Sequence, residues 1–323
     1  MELLTRTSAS TLIRSGREDI VAQIGNTPLL RLARIEEKYG LPESVELHAK
    51  AEWFNPGGSV KDRAALYMVR DGERQGLLTS GKTILDASSG NTGIAYAMIG
   101  AALGYRVEIC LPESASPERK RLLKLYGATI IDTPPAGGTD GAIIEARRRY
   151  AEHPDRYFYP DQYNNPANWQ AHYYGTAPEI WQQTDGRVTH FVAVVGTSGT
   201  FMGTSRRLKH YNPGIRIVEV QPDAAFHGLE GMKHMPSALV PGIYDPNLAD
   251  DNLEVGTEEA QAMTRDLARY EGILAGPSGG AGVLAAVGVA QSLRSGVVVT
   301  VLPDGGNRYL QDTFWDESEE SEG

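Results

Sequence analysis

Residues 53–65, W-F-N-P-G-G-S-V-K-D-R-A-A, place a lysine directly after a Pro-Gly-Gly turn and at the start of a predicted helix. A lysine at a helix start is usually a solvated surface residue, and the helix dipole disfavours a cation at this end. If Lys61 is buried, the pKa of its amine falls and the amine can act as a Schiff-base nucleophile. Such chemistry requires a cofactor with a carbonyl group, and the rest of the chain has to hold that cofactor.

Three glycine-rich loops, each followed by a helical pattern, offer places to bind an anion. Their sequences are S-S-G-N-T-G (88–93), G-T-S-G-T (196–200) and G-P-S-G-G (276–280). Backbone N–H groups, hydroxyls and a helix N-terminus that converge on one point suit a phosphate or a carboxylate. None of the loops has the spacing of a dinucleotide fingerprint or a P-loop. Each loop could instead simply cap a helix, but three of them in one chain weaken that alternative.

The chain alternates short β-branched runs with longer helical stretches, which predicts an α/β fold with mainly parallel sheets. The predicted strands cover residues 45–50, 83–87, 106–110, 129–133, 189–195, 216–221 and 296–302. An Asn- and Pro-rich stretch at 160–172 indicates a crossover between two lobes. A cleft between two lobes is the usual place for a small-molecule site.

Length and charge limit the functions that the chain can have. The 323 residues suffice for two α/β domains, and the formal net charge of −10 argues against a nucleic-acid partner. Six of the acidic residues fall in the last twelve positions, 312–323, which predicts a solvated acidic tail. No apolar run approaches the roughly 18–20 residues of a membrane span, so we expect no membrane association.

Cysteine and histidine usage argues against a metal site. Cys110 is the only cysteine, and its apolar surroundings predict a buried strand position rather than a catalytic thiol. The histidines show no paired metal-ligand spacing, so no metal is expected. A single cysteine and an N-terminus without an apolar signal-peptide core fit a cytoplasmic location.

Taken together, the motifs resemble those of one enzyme family. N-P-G-G-S-V-K-D-R (55–63) resembles the pyridoxal-phosphate lysine segment of the fold-type II, tryptophan synthase β-like enzymes, and the three glycine loops follow in the family's order. I-G-N-T-P-L (24–29) and D-G-G-N-R-Y-L (304–310) are similar to its terminal motifs. Residues 161–192 look most like cysteine synthases, the O-acetylserine sulfhydrylases, particularly the B-type. The resemblance covers residues from about 20 to 314.

The resemblance implies two lobes, each with a mainly parallel sheet flanked by helices. We expect a smaller mobile lobe at 46–165, which carries Lys61 and the substrate-carboxylate loop. A larger lobe, 1–45 plus 166–311, would bind the cofactor phosphate, and 312–323 would form the acidic tail. Family members are commonly homodimers, so a homodimer is expected here.

The resemblance also assigns the residues that bind pyridoxal 5′-phosphate (PLP). Lys61 would form the internal aldimine and later move the α-proton, and Asn91 would bind the pyridoxal 3′-oxygen. Gly196, Thr197, Ser198, Gly199 and Thr200 would hold the phosphate. Ser278 would lie beside the pyridine nitrogen. A neutral serine leaves that nitrogen largely unprotonated, which favours β-elimination over a deeply stabilised quinonoid.

A second group of residues would bind the substrate. By similarity, the α-carboxylate is bound by Ser88, Ser89, Gly90, Thr92 and Gln162. Lys233 falls near the position where relatives that use O-phosphoserine or a bulkier sulfur donor have an arginine. A cation there could meet a phosphate. The alternative is that Lys233 is an ordinary surface lysine.

The activity that this implies is a transferase reaction in cysteine biosynthesis. O-acetyl-L-serine, or O-phospho-L-serine, would lose its β-leaving group to an aminoacrylate, which sulfide or a related sulfur donor then attacks to give L-cysteine. A cystathionine β-synthase-like, cysteine desulfhydrase or dehydratase activity on the same scaffold is the alternative within enzymes. A catalytically idle binding protein of the same fold is the alternative outside them, and the intact Lys61 and loops weigh against it.

Overall fold

The computed structural model describes residues 19–316. Most of the predicted acidic tail, from residue 317 onward, therefore lies outside the described residues. The chain divides into two compact units, which are treated separately below. The first unit comprises the described residues up to Asn26, Asn55–Gly57 and Lys61–Asp161. The second comprises Thr27–Phe54, Gly58–Val60 and the described residues from Gln162 on.

Strands and helices alternate along most of the chain, as the sequence pattern predicts. The strands are β1 Leu29–Arg31, β2 Val45–Ala51, β3 Thr83–Ala87, β4 Arg106–Pro112, β5 Thr129–Thr133, β6 Tyr157–Phe158, β7 His190–Val194, β8 Arg216–Pro222, β9 Asp251–Val255 and β10 Gly296–Leu302. The helices are α1 Ala33–Lys38, α2 Lys61–Arg74, α3 Asn91–Leu103, α4 Pro117–Leu125, α5 Gly138–Glu152, α6 Pro166–Ala171, α7 Ala177–Gln183, α8 Gly199–Tyr211, α9 Thr257–Asp266 and α10 Pro277–Gln291.

The first unit is built on a parallel sheet. Within the described residues, its four strands run in the order β5-β4-β3-β6. All five residues of β3 are buried, because helices cover the central strands of a parallel sheet on both faces. β3 ends at Ala87, which is aligned with Cys110 of β4. The carboxyl end of this strand therefore leads directly into the 88–93 loop, where ligands commonly bind in such sheets.

The second unit contains a larger sheet. In the part of the chain that the structure describes, its six strands follow the order β1-β2-β10-β7-β8-β9, with β1 antiparallel to its neighbour and the others parallel. Successive side chains of a strand point to opposite faces. Phe191 and Val192 on β7 accordingly enter two different apolar clusters, so both faces of the sheet are packed. The predicted α/β fold with mainly parallel sheets is confirmed.

The seven predicted strands are all present, with ends shifted by at most two residues. β1, β6 and β9 were not predicted. β6 has two residues and β1 has three, which is too short for a periodic signal. β9, D-N-L-E-V, lies at the edge of its sheet and is largely exposed, so it lacks the apolar run of a buried strand.

The boundaries of the two units differ in detail from the sequence-based lobes. The smaller lobe was expected to begin at residue 46, but β2 pairs in parallel with β10 and so belongs to the second unit. The later boundary falls between Asp161 and Gln162, within the Asn- and Pro-rich stretch and close to the expected 165/166. Pairing with a distant strand, which a local pattern does not reveal, explains the first difference.

The beginning of the predicted tail is ordered. Residues Thr313–Trp315 form a 3₁₀ turn, and the indole Nε1 of Trp315 donates a hydrogen bond of 2.7 Å to the Tyr309 carbonyl. Arg265 Nη1 donates another, also of 2.7 Å, to the Phe314 carbonyl. These two hydrogen bonds hold residues 313–316 against the second unit, although Asp312, Thr313 and Asp316 are exposed. The solvated acidic tail therefore stays a prediction. Among the described helices, none is long and apolar enough to cross a membrane.

Candidate active site

Lys61 is the first residue of α2 and directly follows the glycine turn. The N–H of Gly57 donates a hydrogen bond of 2.5 Å to Oδ2 of Asp62. A Cβ atom at Gly57 would lie 2.5 Å from the other carboxylate oxygen of Asp62, so the turn requires a glycine. Lys61 is half-buried, whereas Asp62 and Arg63 beside it are buried. The Asp62 carboxylate thus links the glycine turn to the first turn of α2, directly beside Lys61.

The S-S-G-N-T-G loop joins β3 to α3 in the same unit. The Ser88 N–H donates to the Cys110 carbonyl at 3.1 Å, which continues the strand pairing into the loop. The Gly90 N–H donates to Oγ of Ser88 at 3.2 Å. α3 begins at Asn91 and its first turn holds no acidic side chain, so its N-terminus attracts anions. Thr92 is buried, while Gly90 and Asn91 are partly exposed.

A buried carboxyl group lies two residues before this loop. Asp86 is 1% exposed on β3, and its Oδ1 accepts the Ala87 N–H at 2.7 Å. Burial raises the pKa of Asp86 to about 7, and the hydrogen bonds from Ala87 and Tyr96 only partly offset this shift. The charge of Asp161 raises the pKa further. The strand that leads into the loop therefore carries a buried carboxyl group whose pKa is raised to about 7.

The G-T-S-G-T loop connects β7 to α8 in the second unit. Ser198 has a left-handed backbone, with φ of +67°, and its buried Oγ has no hydrogen-bond partner among the described residues. A Cβ at Gly196 would lie 2.1 Å from the Gly231 carbonyl oxygen, so the loop is in close contact with a neighbouring segment. A strained serine with an unused buried hydroxyl, at the start of a 13-residue helix, suits a bound anion.

Two buried side chains that the sequence analysis did not single out support this loop from behind. Asn168 of α6 donates its Nδ2 hydrogens to Oγ1 of Thr197 at 3.2 Å and to the Gln162 carbonyl at 2.7 Å. Nε2 of His172 lies 3.4 Å from Oγ1 of Thr200. Both residues lie within the 161–192 stretch that resembles cysteine synthases, but Gln162 was the only residue of that stretch to which the sequence analysis gave a role. An Asn or His within a helical pattern carries no spacing signal of its own, so the structure identifies these two.

Ser278 is the second residue of α10 and is 5% exposed. The preceding Gly276 donates its N–H to the Asp304 carbonyl at 3.1 Å, and a Cβ at Gly276 would lie 2.2 Å from Oδ1 of Asp304. The Tyr309 hydroxyl donates to Oδ2 of Asp304 at 2.7 Å. The G-P-S-G-G and D-G-G-N-R-Y-L motifs are thus in contact, which fixes the start of α10.

Gln162 and Lys233 also lie near the 196–200 loop in the second unit. Gln162 is buried. Its backbone carbonyl and the Thr197 hydroxyl both accept hydrogen bonds from the side-chain NH₂ group of Asn168. The Lys233 N–H donates to the Val195 carbonyl at 2.9 Å, one residue before the loop. The Lys233 ammonium lies 5.3 Å from the centre of the Tyr163 ring. Lys233 is partly buried rather than a fully solvated lysine.

The predicted site residues thus form one group in each unit. Lys61 and the 88–92 loop belong to the first, and Gln162, the 196–200 loop, Lys233 and Ser278 belong to the second. Cys110 is a buried residue of β4, as predicted, and burial raises the pKa of its thiol to about 12. A thiol with this pKa is a poor nucleophile near neutral pH, so Cys110 is structural.

Comparison with known proteins identifies the family. The model of the pyridoxal-phosphate dependent enzyme family matches residues 20–304. The chain is 52% identical to the cysteine synthase of Aquifex aeolicus over 301 residues, which is 92% of each chain. It is 40% identical to cysteine synthase B of Escherichia coli over 300 residues, 93% of this chain and 97% of that protein.

A solved structure shows the same likeness in three dimensions. The crystal structure of cysteine synthase from Entamoeba histolytica superposes with a TM-score of 0.90 at 35% identity, over 99% of this chain and 96% of that one. These matches cover the whole of both units apart from short ends. The chain therefore belongs to the pyridoxal-phosphate dependent enzymes and, within them, to the cysteine synthase family.

Proposed function

We propose that this enzyme forms L-cysteine from O-acetyl-L-serine and sulfide by PLP-dependent β-replacement. The family membership supports the reaction class, and relatives named cysteine synthase match more than nine-tenths of the chain. The observation that carries the proposal is the combination of a lysine at the start of α2 with a glycine-rich phosphate cradle at the start of α8. When bound, PLP supplies an electron sink for the substrate α-carbon.

Lys61 is the proposed catalytic residue. With PLP bound, its amine would hold the cofactor through the cofactor's carbonyl carbon, and the amine freed by the substrate would accept the substrate's α-proton. The rigid turn at Gly57 and Asp62 supports this role, because it fixes the backbone from which the lysine side chain extends. Asn91, the first residue of the neighbouring helix α3, is proposed to donate its side-chain amide to the 3′-oxygen of the cofactor.

The 196–200 loop is proposed to hold the cofactor phosphate. The buried Oγ of Ser198, which has no hydrogen-bond partner in the part of the chain that the structure describes, would give one donor. The hydroxyls of Thr197 and Thr200 would give two more. Gly196 and Gly199 are required because a Cβ would lie 2.1 Å from the Gly231 oxygen and 1.9 Å from the Asn168 oxygen, respectively. Ser278 is proposed to lie beside the pyridine nitrogen, where its hydroxyl can donate a hydrogen bond but cannot protonate the ring.

The substrate α-carboxylate is proposed to bind the loop residues Ser88, Ser89, Gly90 and Thr92, together with Gln162. The N-terminus of α3 and the loop hydroxyls form the kind of donor set that a carboxylate needs. Closure of this loop on the substrate would exclude water and protect the reactive intermediate state from hydrolysis.

O-phospho-L-serine is the second candidate donor because of Lys233. Its backbone is hydrogen-bonded to Val195 at the entrance of the phosphate loop, and an ammonium group there can pair with a second phosphate. A homodimer and a cytoplasmic location stay predictions from the sequence.

The test is an absorption titration of the purified holoenzyme without sulfide. O-acetyl-L-serine should shift the visible cofactor band at a lower concentration than O-phospho-L-serine, and added sulfide should restore the band and release L-cysteine. If phosphate is the true leaving group, the order reverses and Lys233→Gln weakens only the phosphorylated donor. A band that neither donor shifts, with no L-cysteine formed, would contradict the proposed function.

Lys61→Ala should lower turnover by at least about 10³-fold, because no other amine replaces the nucleophile and proton carrier. Lys82→Ala is the matched control. It removes a lysine of the same unit whose ammonium binds the Pro154 carbonyl at 3.1 Å, and it should leave turnover unchanged. Circular dichroism checks that both variants are folded. Turnover retained by Lys61→Ala would remove Lys61 from the catalytic role.

A further inference from the structure

Arg119 is a basic side chain of α4 that reaches the 88–93 loop of the first unit. Its Nη1 donates a hydrogen bond of 3.5 Å to the backbone carbonyl oxygen of Ser89, and its Nε is shielded from solvent. By contrast, Arg121 and Lys124 on the same helix are exposed. Withdrawing part of a guanidinium group from water costs free energy unless the group is hydrogen-bonded. The contact with the loop therefore indicates what Arg119 does.

The backbone from which Arg119 extends is held in place by its neighbours. The ammonium of Lys120 donates to the Glu113 carbonyl at 2.8 Å and to Oδ1 of Asp132, on β5, at 2.6 Å. The Glu113 N–H donates in turn to the Thr133 carbonyl at 2.9 Å. These contacts tie the start of α4 to the end of β5, and α4 also packs against α3. Arg119 thus approaches the loop from a backbone that is fixed to the sheet of the first unit.

The Ser89 carbonyl and the Gly90 N–H belong to one peptide group, and both ends of this group are hydrogen-bonded. A trans peptide is planar, so its C=O and its N–H point in opposite directions. Arg119 binds the carbonyl, while the N–H donates to Oγ of Ser88 at 3.2 Å. The N–H of Ser88 itself donates to the Cys110 carbonyl at 3.1 Å. The peptide group cannot rotate without breaking one of these hydrogen bonds.

This arrangement leaves the hydroxyl proton of Ser88 for another acceptor. A hydroxyl has one proton and two lone pairs, and the Gly90 N–H occupies one of the lone pairs. Hydrogen bonds in a chain polarise one another, so a cation at the start of the chain makes the last hydrogen a stronger donor. We propose that Arg119 is a positioning residue that orients the Ser89–Gly90 peptide group and thereby directs the Ser88 hydroxyl proton to the substrate α-carboxylate. This inference rests on the carboxylate-binding role proposed for the loop.

The test compares a probe that carries the α-carboxylate with one that does not. L-serine and L-serine amide have nearly the same shape, but the amide lacks the negative charge, and the visible band of the holoenzyme reports the binding of either one. Arg119→Met should raise the half-saturating concentration of L-serine roughly 5- to 20-fold and that of the amide by less than about twofold. Arg121→Met is the matched control, since it removes the same charge from an exposed position of α4, and it should change neither value. An Arg119→Met enzyme that binds both probes equally weakly, or both as the native enzyme does, would overturn the inference.

Arg119→Lys is a second variant that keeps the test decisive if Arg119→Met folds poorly. It retains the charge but replaces the planar guanidinium with a single ammonium, so it should bind L-serine at least about threefold more weakly than the native enzyme. Native affinity would mean that charge alone is sufficient, which overturns the positioning role. In a Ser88→Ala background the effect of either Arg119 variant on L-serine should largely disappear, because Arg119 acts through that hydroxyl. An equal effect in both backgrounds would also overturn the inference.

The outcomes separate this inference from the proposed function. If Ser88→Ala and Thr92→Ala both leave L-serine binding unchanged, the carboxylate-binding role of the loop is wrong. If they weaken it, while Arg119→Met behaves like Arg121→Met, the loop assignment stands and the positioning role of Arg119 is overturned. The PLP dissociation constant of Arg119→Met should stay within about twofold of the native value, and a rise of about tenfold would place Arg119 with the cofactor instead and overturn the inference.

Discussion

Asp86 is an ionisable side chain that water does not reach, and it connects two elements of the first unit. Its carboxyl group lies at the end of β3, and the Tyr96 hydroxyl of α3 hydrogen-bonds to it. That hydroxyl also lies 3.5 Å from Sδ of Met68. The other groups that influence Asp86 are Asp161, whose charge raises its pKa, and Tyr159, whose own pKa is raised by burial. β3 leads into the 88–93 loop and α3 follows from it, so the Asp86–Tyr96 hydrogen bond joins the two elements that the loop connects.

We predict that Asp86→Asn makes the free energy of unfolding less dependent on pH. The pKa of Asp86 is raised from 3.8 to about 7, so the folded state binds a proton that the unfolded state has already released. The free energy of unfolding therefore falls as the pH rises from about 4 to 7. Asparagine is neutral throughout and avoids this loss. Urea unfolding of both proteins across this range checks the prediction, and parallel curves would contradict it.

At the scale of single elements, the helix-start loops depend on close backbone contacts. Gly196 is the clearest case, because its neighbour is the backbone oxygen of Gly231, which cannot rotate away. Gly288 shows the opposite situation, since it is exposed within α10 and nothing lies within 4 Å of the position where a Cβ would be added.

Gly196→Ala should therefore separate the 196–200 loop from the segment around Gly231. Overpacking of this kind costs about 1–3 kcal/mol in the free energy of unfolding, and the displaced loop should bind PLP at least about tenfold more weakly. Gly288→Ala is the matched control, which should stabilise α10 by about 0.5–1 kcal/mol without changing PLP affinity. Thermal unfolding and PLP titration distinguish the two; equal behaviour would contradict the contact with Gly231.

The elements also show what the sequence could predict. β3, β5 and β10 were predicted with their exact ends, because each is a short run with β-branched residues that turn residues bound on both sides. Lys61 was predicted at the start of a helix because a glycine turn precedes it, whereas the helix expected after the 88–93 loop begins within that loop, at Asn91. The pairing of β2 with β10 and the contacts of Asn168 could not be predicted, because both join residues that are distant in sequence or lack any periodic signal.

At the scale of the whole molecule, the proposed cofactor contacts come from both units. Lys61 and Asn91 belong to the first unit, and the 196–200 loop and Ser278 belong to the second. The chain also passes repeatedly between the units near the lysine, because Asn55–Gly57 and Lys61 belong to the first and Gly58–Val60 to the second. A ligand that binds residues of both units stabilises only the state in which both are folded.

Removal of PLP should accordingly lower the unfolding temperature of the whole protein. At a thousandfold excess over its dissociation constant, a ligand stabilises the folded state by about 4 kcal/mol, which corresponds to roughly 5–10 °C for a chain of this size. Lys61→Ala, which keeps the phosphate cradle but loses the covalent link, should show an intermediate stabilisation on addition of PLP. Calorimetry of the depleted and reconstituted proteins measures the shift. If PLP left the unfolding temperature of the native protein unchanged, the proposed contacts in the two units would be wrong. If Lys61→Ala gained as much as the native protein, the noncovalent cradle alone would account for the cofactor's contribution to stability.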